Sequence, residues 1–307
     1  MKKILFVLAA ASMTMAAQAK ILRVSNVAGS SAPYTSVKDA IGVAEEGDTI
    51  MLDGSATNYG NVEISKRVVL IGPGYLLGEN GIVDEAAPSA VISNLTVTKN
   101  APNTVIKGIK IISGATINGP KTIVTRCMFT GDLNLGAVNT IVHQNFFYKA
   151  RVGTTQFYLD DYNMQITNNI IYGGIIRSIG GSYIAYNTII FENTENAAFS
   201  NIITSAIEHN IMPNGEVSGN GWNDTSSNNF SDNLEYKGFV YKDISTDMDV
   251  QSASAKISED KYGAFAGEDP YVLSGVPSGP VIQDLVVPAS VEKGSTMSVT
   301  VKVGVVK

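Results

Sequence analysis

Short runs of apolar residues, most of them β-branched, recur through the middle of the chain and are punctuated by Gly, Asn and polar residues. Aligning Val105–Ile111, Ile123–Phe129, Ile141–Phe147, Ile166–Ile171, Ile184–Ile190, Ile207–Met212 and Asn228–Phe230 exposes a repeat. One aligned position reads Ile109, Cys127, Asn145, Asn169, Asn187, Asn210 and Asn229, at spacings of 18, 18, 24, 18, 23 and 19 residues. Eighteen residues are too few for the helix pairs of α-solenoids, but they hold three short strands and their turns. The period therefore predicts one rung of a parallel β-helix per repeat, with insertions in two coils. Asn tolerates left-handed dihedrals at a corner, and its amide can bond to the same amide one rung away. Asn145, Asn169, Asn187, Asn210 and Asn229 are thus expected to form a structural ladder.

The flanks follow a different pattern. Val37, Ala40, Ile41 and Ala44 share one face at helical spacing, with Thr35 or Ser36 to start a helix and Gly47 to end it. This predicts an amino-terminal capping helix, followed by a strand at Asp48–Leu52. Beyond about Asn233 the repeat dissolves. Asp243–Lys261 is polar and Ser-rich and reads as irregular or partly helical, and Val281–Val306 holds two alternating segments, read as a small β hairpin cap. The expected organisation is a leader at 1–19, a β-helix with its cap at 20–240, and an irregular region with hairpin at 241–307.

Lys2 and Lys3, the apolar run Ile4–Met15 and the small-x-small site Ala17-Gln18-Ala19 read as an export signal cut before Lys20. No cysteine follows the cut, so a lipoprotein is not expected, and no later run reads as a transmembrane helix. The mature chain is expected in the periplasm, on the cell surface or outside the cell. The 307-residue chain carries 22 basic and 28 acidic side chains. Losing Lys2 and Lys3 leaves 20 basic residues against 28, a formal charge of −8. Such a surface repels phosphate backbones, so nucleic acid is not an expected partner. One cysteine, Cys127, excludes an intrachain disulfide and reads as a small buried hydrophobe.

Tyr34–Ile41, the Gly47-Asp48-Thr49-Ile50 entry and Arg67–Gly72 resemble the opening of the pectate-lyase-like right-handed β-helix superfamily. The resemblance covers roughly residues 30 to 235. Tyr262–Gly275 is similar to the carboxy-terminal region of secreted bacterial β-helix proteins of unassigned activity. The resemblance implies an all-β, right-handed parallel β-helix and leaves activity open, since the superfamily holds lyases, hydrolases, esterases and adhesins.

A polysaccharide lyase of this fold needs a basic group to take the proton beside a uronate carboxylate and a cation to stabilise the product anion. The inserted coil between Asn145 and Asn169 offers Arg151 as a catalytic candidate, with Asp160 and Asp161 as catalytic or calcium-binding candidates. Adjacent carboxylates on a strand point to opposite faces, so only one would face a groove. The Asn-Thr-Asp, Gly-His-Gly and Arg-Ile-Lys motifs of the hydrolases are absent. His143 and His209, two residues and one residue before the ladder position, share no metal-ligand spacing and read as structural. Insertions in solenoids gather on one face. Tyr148, Phe157, Tyr158, Tyr162, Phe191, Phe199 and, one coil later, Trp222 could there stack on sugar rings, with Tyr148, Tyr158, Tyr162 and Trp222 the leading candidates. Two readings follow: a non-catalytic exported module that binds a polysaccharide or cell-surface glycan or serves in adhesion, and a calcium-assisted polysaccharide lyase of the pectate type.

Overall fold

The computed structural model describes residues 19–81, 88–155, 162–190, 199–212, 217–218, 225–227, 244–254, 261–277, 279–286, 296 and 299–306. The chain winds into a parallel β-solenoid of about 7 turns. A regular coil is Ile123–Thr125, Met128–Phe129 and Leu133–Leu135, one strand for each of three columns. The first column is a 10-stranded parallel sheet. The second and third columns join into a 12-stranded sheet because Lys110–Ile117 runs through both.

Alternation along each strand decides which side chain enters the solenoid. In the first column the middle residues stack in register as Ile50, Leu70, Ile106, Val124, Val142, Ile166, Ile184 and Ile207, all 0% exposed. In the second, Phe129 lies on Phe147 with ring centroids 4.8 Å apart and planes 10° from parallel, one rung of a parallel sheet. Burying each such side chain contributes roughly 1.5–3 kcal/mol, and the repeat renews the gain on each coil.

The corner between the first two columns departs from expectation. The left-handed residue is not the aligned asparagine but the residue before it: Gly108, Arg126, Gln144, Asn168, Tyr186 and His209 have φ between 53° and 67°. The asparagines instead point inward. Asn145 Nδ2 donates to Asn169 Oδ1 at 3.0 Å, Asn169 to Asn187 at 3.0 Å and Asn187 to Asn210 at 2.9 Å. Each Oδ1 also accepts a main-chain N–H from the preceding coil, and each Nδ2 also donates to a main-chain carbonyl. All four side chains are buried with every polar atom in use, which a buried amide requires. Asn229 lies outside the described residues, as do the leader residues 1–18.

At the amino end, helix α1 (Val37–Val43) is shorter than its apolar spacing implied, with Ala44 already at the C-cap in extended conformation and still buried. Ser36 caps its start, and Val37, Ala40 and Ile41 enter the core beside the strands Ile21–Val24, Thr49–Leu52 and Val62–Ile64. Within the polar region expected to be irregular or partly helical, Asp247–Ser254 forms helix α2. Gly279–Val286 and Thr300–Val306 pair as an antiparallel hairpin. Between helix α2 and the hairpin, Tyr262–Pro277 runs as a strap along the solenoid's corner. Gly263 donates to the His209 carbonyl, Asn168 reaches the Ala264 and Ala266 carbonyls, Gln144 the Pro270 carbonyl and Arg126 the Val276 carbonyl. The strap seals a second core, in which Met128, Phe146, Ile170, Ile190 and Ile211 on the outside of the second column meet Val250, Ala264 and Tyr271.

Candidate functional site

The third column carries a polar cleft of about 320 Å³ on its outer face. Its walls come from three consecutive coils: Asn94 and Thr96, then Ser113 and Thr116, then Asp132 and Asn134. Register explains the grouping. Thr96, Thr116, Asn134, Gly153 and Arg177 are successive partners across the sheet, all one residue from the inward Leu95, Ala115, Leu133, Val152 and Ile176. A register irregularity between Ile92 and Asn94 turns the long strand Val91–Val97 from the second column into the third, and the matching Gly114 sits at φ 135°. At Gly153, φ 147°, a Cβ would lie 1.8 Å from the Arg177 carbonyl oxygen, so no side chain stands between Asn134 and Arg177.

Asp132 organises one end of the cleft. Its Oδ2 accepts from Arg151 Nε at 2.8 Å and pairs with Arg151 Nη2 at 2.7 Å, while Oδ1 accepts the Arg151 main-chain N–H at 2.9 Å. Arg177 Nη2 stands 3.6 Å from the same Oδ2. Burial opposes ionisation of Asp132, but the Arg151 hydrogen bonds, aided by the charges of both arginines, outweigh it and hold the carboxyl below the ordinary carboxylate range. The bond to Asp132 in turn raises the Arg151 pKa. Among the described residues, Arg151 and Arg177 both face the Asp132 carboxylate at this end of the cleft.

Of the residues singled out by sequence, Arg151 therefore stands beside the cleft, committed to Asp132. Asp160, Asp161, Tyr158, Phe157, Phe191 and Trp222 lie outside the described residues. Two aromatic candidates are placed where no sugar can stack on them. Tyr162 is 5% exposed within the solenoid core, and Phe199 is 0% exposed. Tyr148 packs between Phe146 and Tyr172 beside the second core, with Lys149 Nζ 5.7 Å from its ring centroid. The reason is positional: these residues fall where the strand pattern turns them to the interior or beneath the strap. Among the described residues, no three His, Cys, Asp or Glu side chains converge as metal ligands, and no helix is long and apolar enough to cross a membrane.

Both histidines serve the strap. His143 Nε2 is 3.0 Å from Asp269 Oδ2, its Nδ1 is 2.9 Å from Thr167 Oγ1, and Gln144 Nε2 donates to Asp269 Oδ1 at 2.9 Å. Burial lowers the His143 pKa, and Asp269 offsets part of that. His209 stacks between Tyr186 and Tyr262. Beneath the strap, Asp247 is 0% exposed and accepts from Asn80 Nδ2, the Tyr271 hydroxyl and the Ser274 N–H. Tyr271 also meets the Tyr75 hydroxyl. Burial raises the Asp247 pKa, against those hydrogen bonds.

Sequence reasoning missed Asp132 and the strap. The first was within reach, since Asp132 and Arg151 fall at equivalent places in neighbouring coils. The second was signalled by the pairs Met128-Phe129, Phe146-Phe147 and Ile170-Ile171, because adjacent apolar residues on one strand require cover on both faces.

No family model, curated protein or solved structure matches this chain.

Proposed function

We propose that this is an exported, non-catalytic β-solenoid that binds a polysaccharide or cell-surface glycan in the cleft on its third column. The observation that carries this reading is the cleft's wall of amide, hydroxyl and carboxylate groups, fixed by strand register across three coils. Sugar hydroxyls both donate and accept, and Asn94, Thr96, Ser113, Thr116, Asp132 and Asn134 supply both functions. Side chains rooted on strands hold such a constellation with little ordering cost on binding. The volume lies at the lower end of ligand sites, which suits one or two sugar rings. A lyase reading would use Arg151 as the base, and a base must give up its proton; pairing with Asp132 makes that harder.

The test is a glycan array with mature protein, followed by calorimetric titration of the strongest hit. Asn134→Ala should weaken binding at least tenfold at unchanged melting temperature. Equal affinity of wild type and Asn134→Ala would move the site elsewhere. An unsaturated product absorbing in the ultraviolet, formed from polygalacturonate with calcium, would establish the lyase instead.

A further inference from the structure

The first strand begins where the expected leader ends. Ile21–Val24 pairs in parallel with Thr49–Leu52, and Thr49 donates its N–H to the Lys20 carbonyl at 2.8 Å. One atom group earlier, the Lys20 main-chain nitrogen donates to Asp48 Oδ1 at 2.8 Å. Asp48 is 3% exposed, and its Oδ2 accepts the Glu45 N–H at 2.8 Å. Both carboxylate oxygens are thus taken by main-chain N–H groups, and those bonds, that of Lys20 first, hold the acid below its ordinary range against burial. The Lys20 side chain goes elsewhere, to Glu45 Oε1 at 3.2 Å. Ala19 is exposed, so the bond between Ala19 and Lys20 lies at the surface while the nitrogen beyond it faces a buried acid.

A buried carboxylate ordinarily has a cation beside it. We propose that Asp48 is the built-in counter-ion for the α-ammonium of Lys20 that leader removal creates, so that processing locks the first coil. Hydrolysis of the Ala19–Lys20 bond consumes one water, releases the Ala19 carboxylate and converts the Lys20 amide nitrogen to an ammonium. A neutral N–H facing the Asp48 carboxylate is thereby replaced by a cation at the same place, which adds an ion pair to the hydrogen bond. The inference rests on cleavage before Lys20 and is independent of the glycan reading.

The sign of the pH dependence follows. The Lys20 ammonium gains an anionic partner on folding, so its folded pKa is raised. Its contribution is complete below the ordinary α-amino range and disappears as pH rises through the raised value. The contribution of Asp48 is complete above its ordinary pKa and disappears as pH falls through the depressed one. The other charged or titratable groups at this end are Glu45, the Lys20 side-chain ammonium, Tyr34 and Lys66, whose Nζ donates to the Gly42 and Ala44 carbonyls.

The test compares chains that begin at Lys20 with chains that retain Gln18-Ala19. At pH 7 the native start should melt about 2–4 °C higher, and the gap should vanish in Asp48→Asn. If Asp48→Asn does not fold, the same gap in the wild type should close as pH is raised past the α-amine's titration. Amino-terminal sequencing of exported protein should read Lys20-Ile21-Leu22. Equal melting of the two forms, a gap that persists in Asp48→Asn or at high pH, or a mature start at another residue would each overturn the proposal.

Discussion

Replacing Asn187 by alanine removes the centre of the buried asparagine row and leaves the strands on either side unchanged. Asn187 Oδ1 is the partner of the Asn169 main-chain N–H and of one Asn169 Nδ2 hydrogen, at 3.0 Å each. Its own Nδ2 serves the Ile166 carbonyl at 2.8 Å. Truncation strands two donors and one acceptor at a position with 0% exposure. At about 1–3 kcal/mol for each unsatisfied buried group, with relaxation, the loss is about 3–5 kcal/mol. For a domain of this size that lowers the melting temperature by about 6–15 °C, read by circular dichroism on the mature protein. Asn94 supplies the control, since its Nδ2 also donates to another asparagine, Asn61 Oδ1, but at the surface. Asn94→Ala should move the transition by no more than about 1–2 °C. The reasoning fails if Asn187→Ala melts within 2 °C of wild type, or if the two substitutions cost the same.

Other outcomes follow from particular contacts. Phe147→Ala, which removes a ring stacked 4.8 Å from Phe129, should destabilise by about 3–5 kcal/mol in urea titration; a loss below 1 kcal/mol would mean that the interior is loosely packed. Asp247 has a folded pKa raised by burial, so its contribution to strap docking is complete below the ordinary carboxylate pKa and is lost as pH rises through the raised value. Asp247→Asn should therefore flatten the fall in melting temperature between pH 4 and pH 8, and an unchanged slope would assign that fall to other groups. The Cys127 thiol is buried and pushed up to about 12. It should resist iodoacetamide at pH 8 in the native protein and react on unfolding, as followed by mass spectrometry; rapid native labelling would show that the corner opens.

How much of this was legible in the sequence depends on the kind of signal. Strand periodicity and coil length were readable because an inward residue recurs every 18 positions wherever a coil carries no insertion, as from Ile106 to Val124 to Val142. The inward role of the asparagines was half legible. Their recurrence identified the corner, but the backbone conformation belongs to the residue before, where Arg126, Gln144 and Tyr186 share no side-chain chemistry that a pattern search could catch. The cleft was illegible as a motif because its six polar residues come from three coils and are neighbours only after winding. The strap joins Asp269 to His143 and Ser274 to Tyr75 across more than a hundred residues. Tyr162 and Phe199 misled because aromatic content does not say which face a strand residue takes: both side chains are buried.

The central claim is that the face built by Thr96, Thr116 and Asn134 holds a glycan. Its most direct measurement is calorimetric titration of the mature protein with a glycan identified on an array, run in parallel with Asn134→Ala and Thr116→Val. Saturable one-site binding in the wild type, weakened at least tenfold in both variants with melting temperatures unchanged, is the predicted result. Binding that both variants retain at full strength would contradict it.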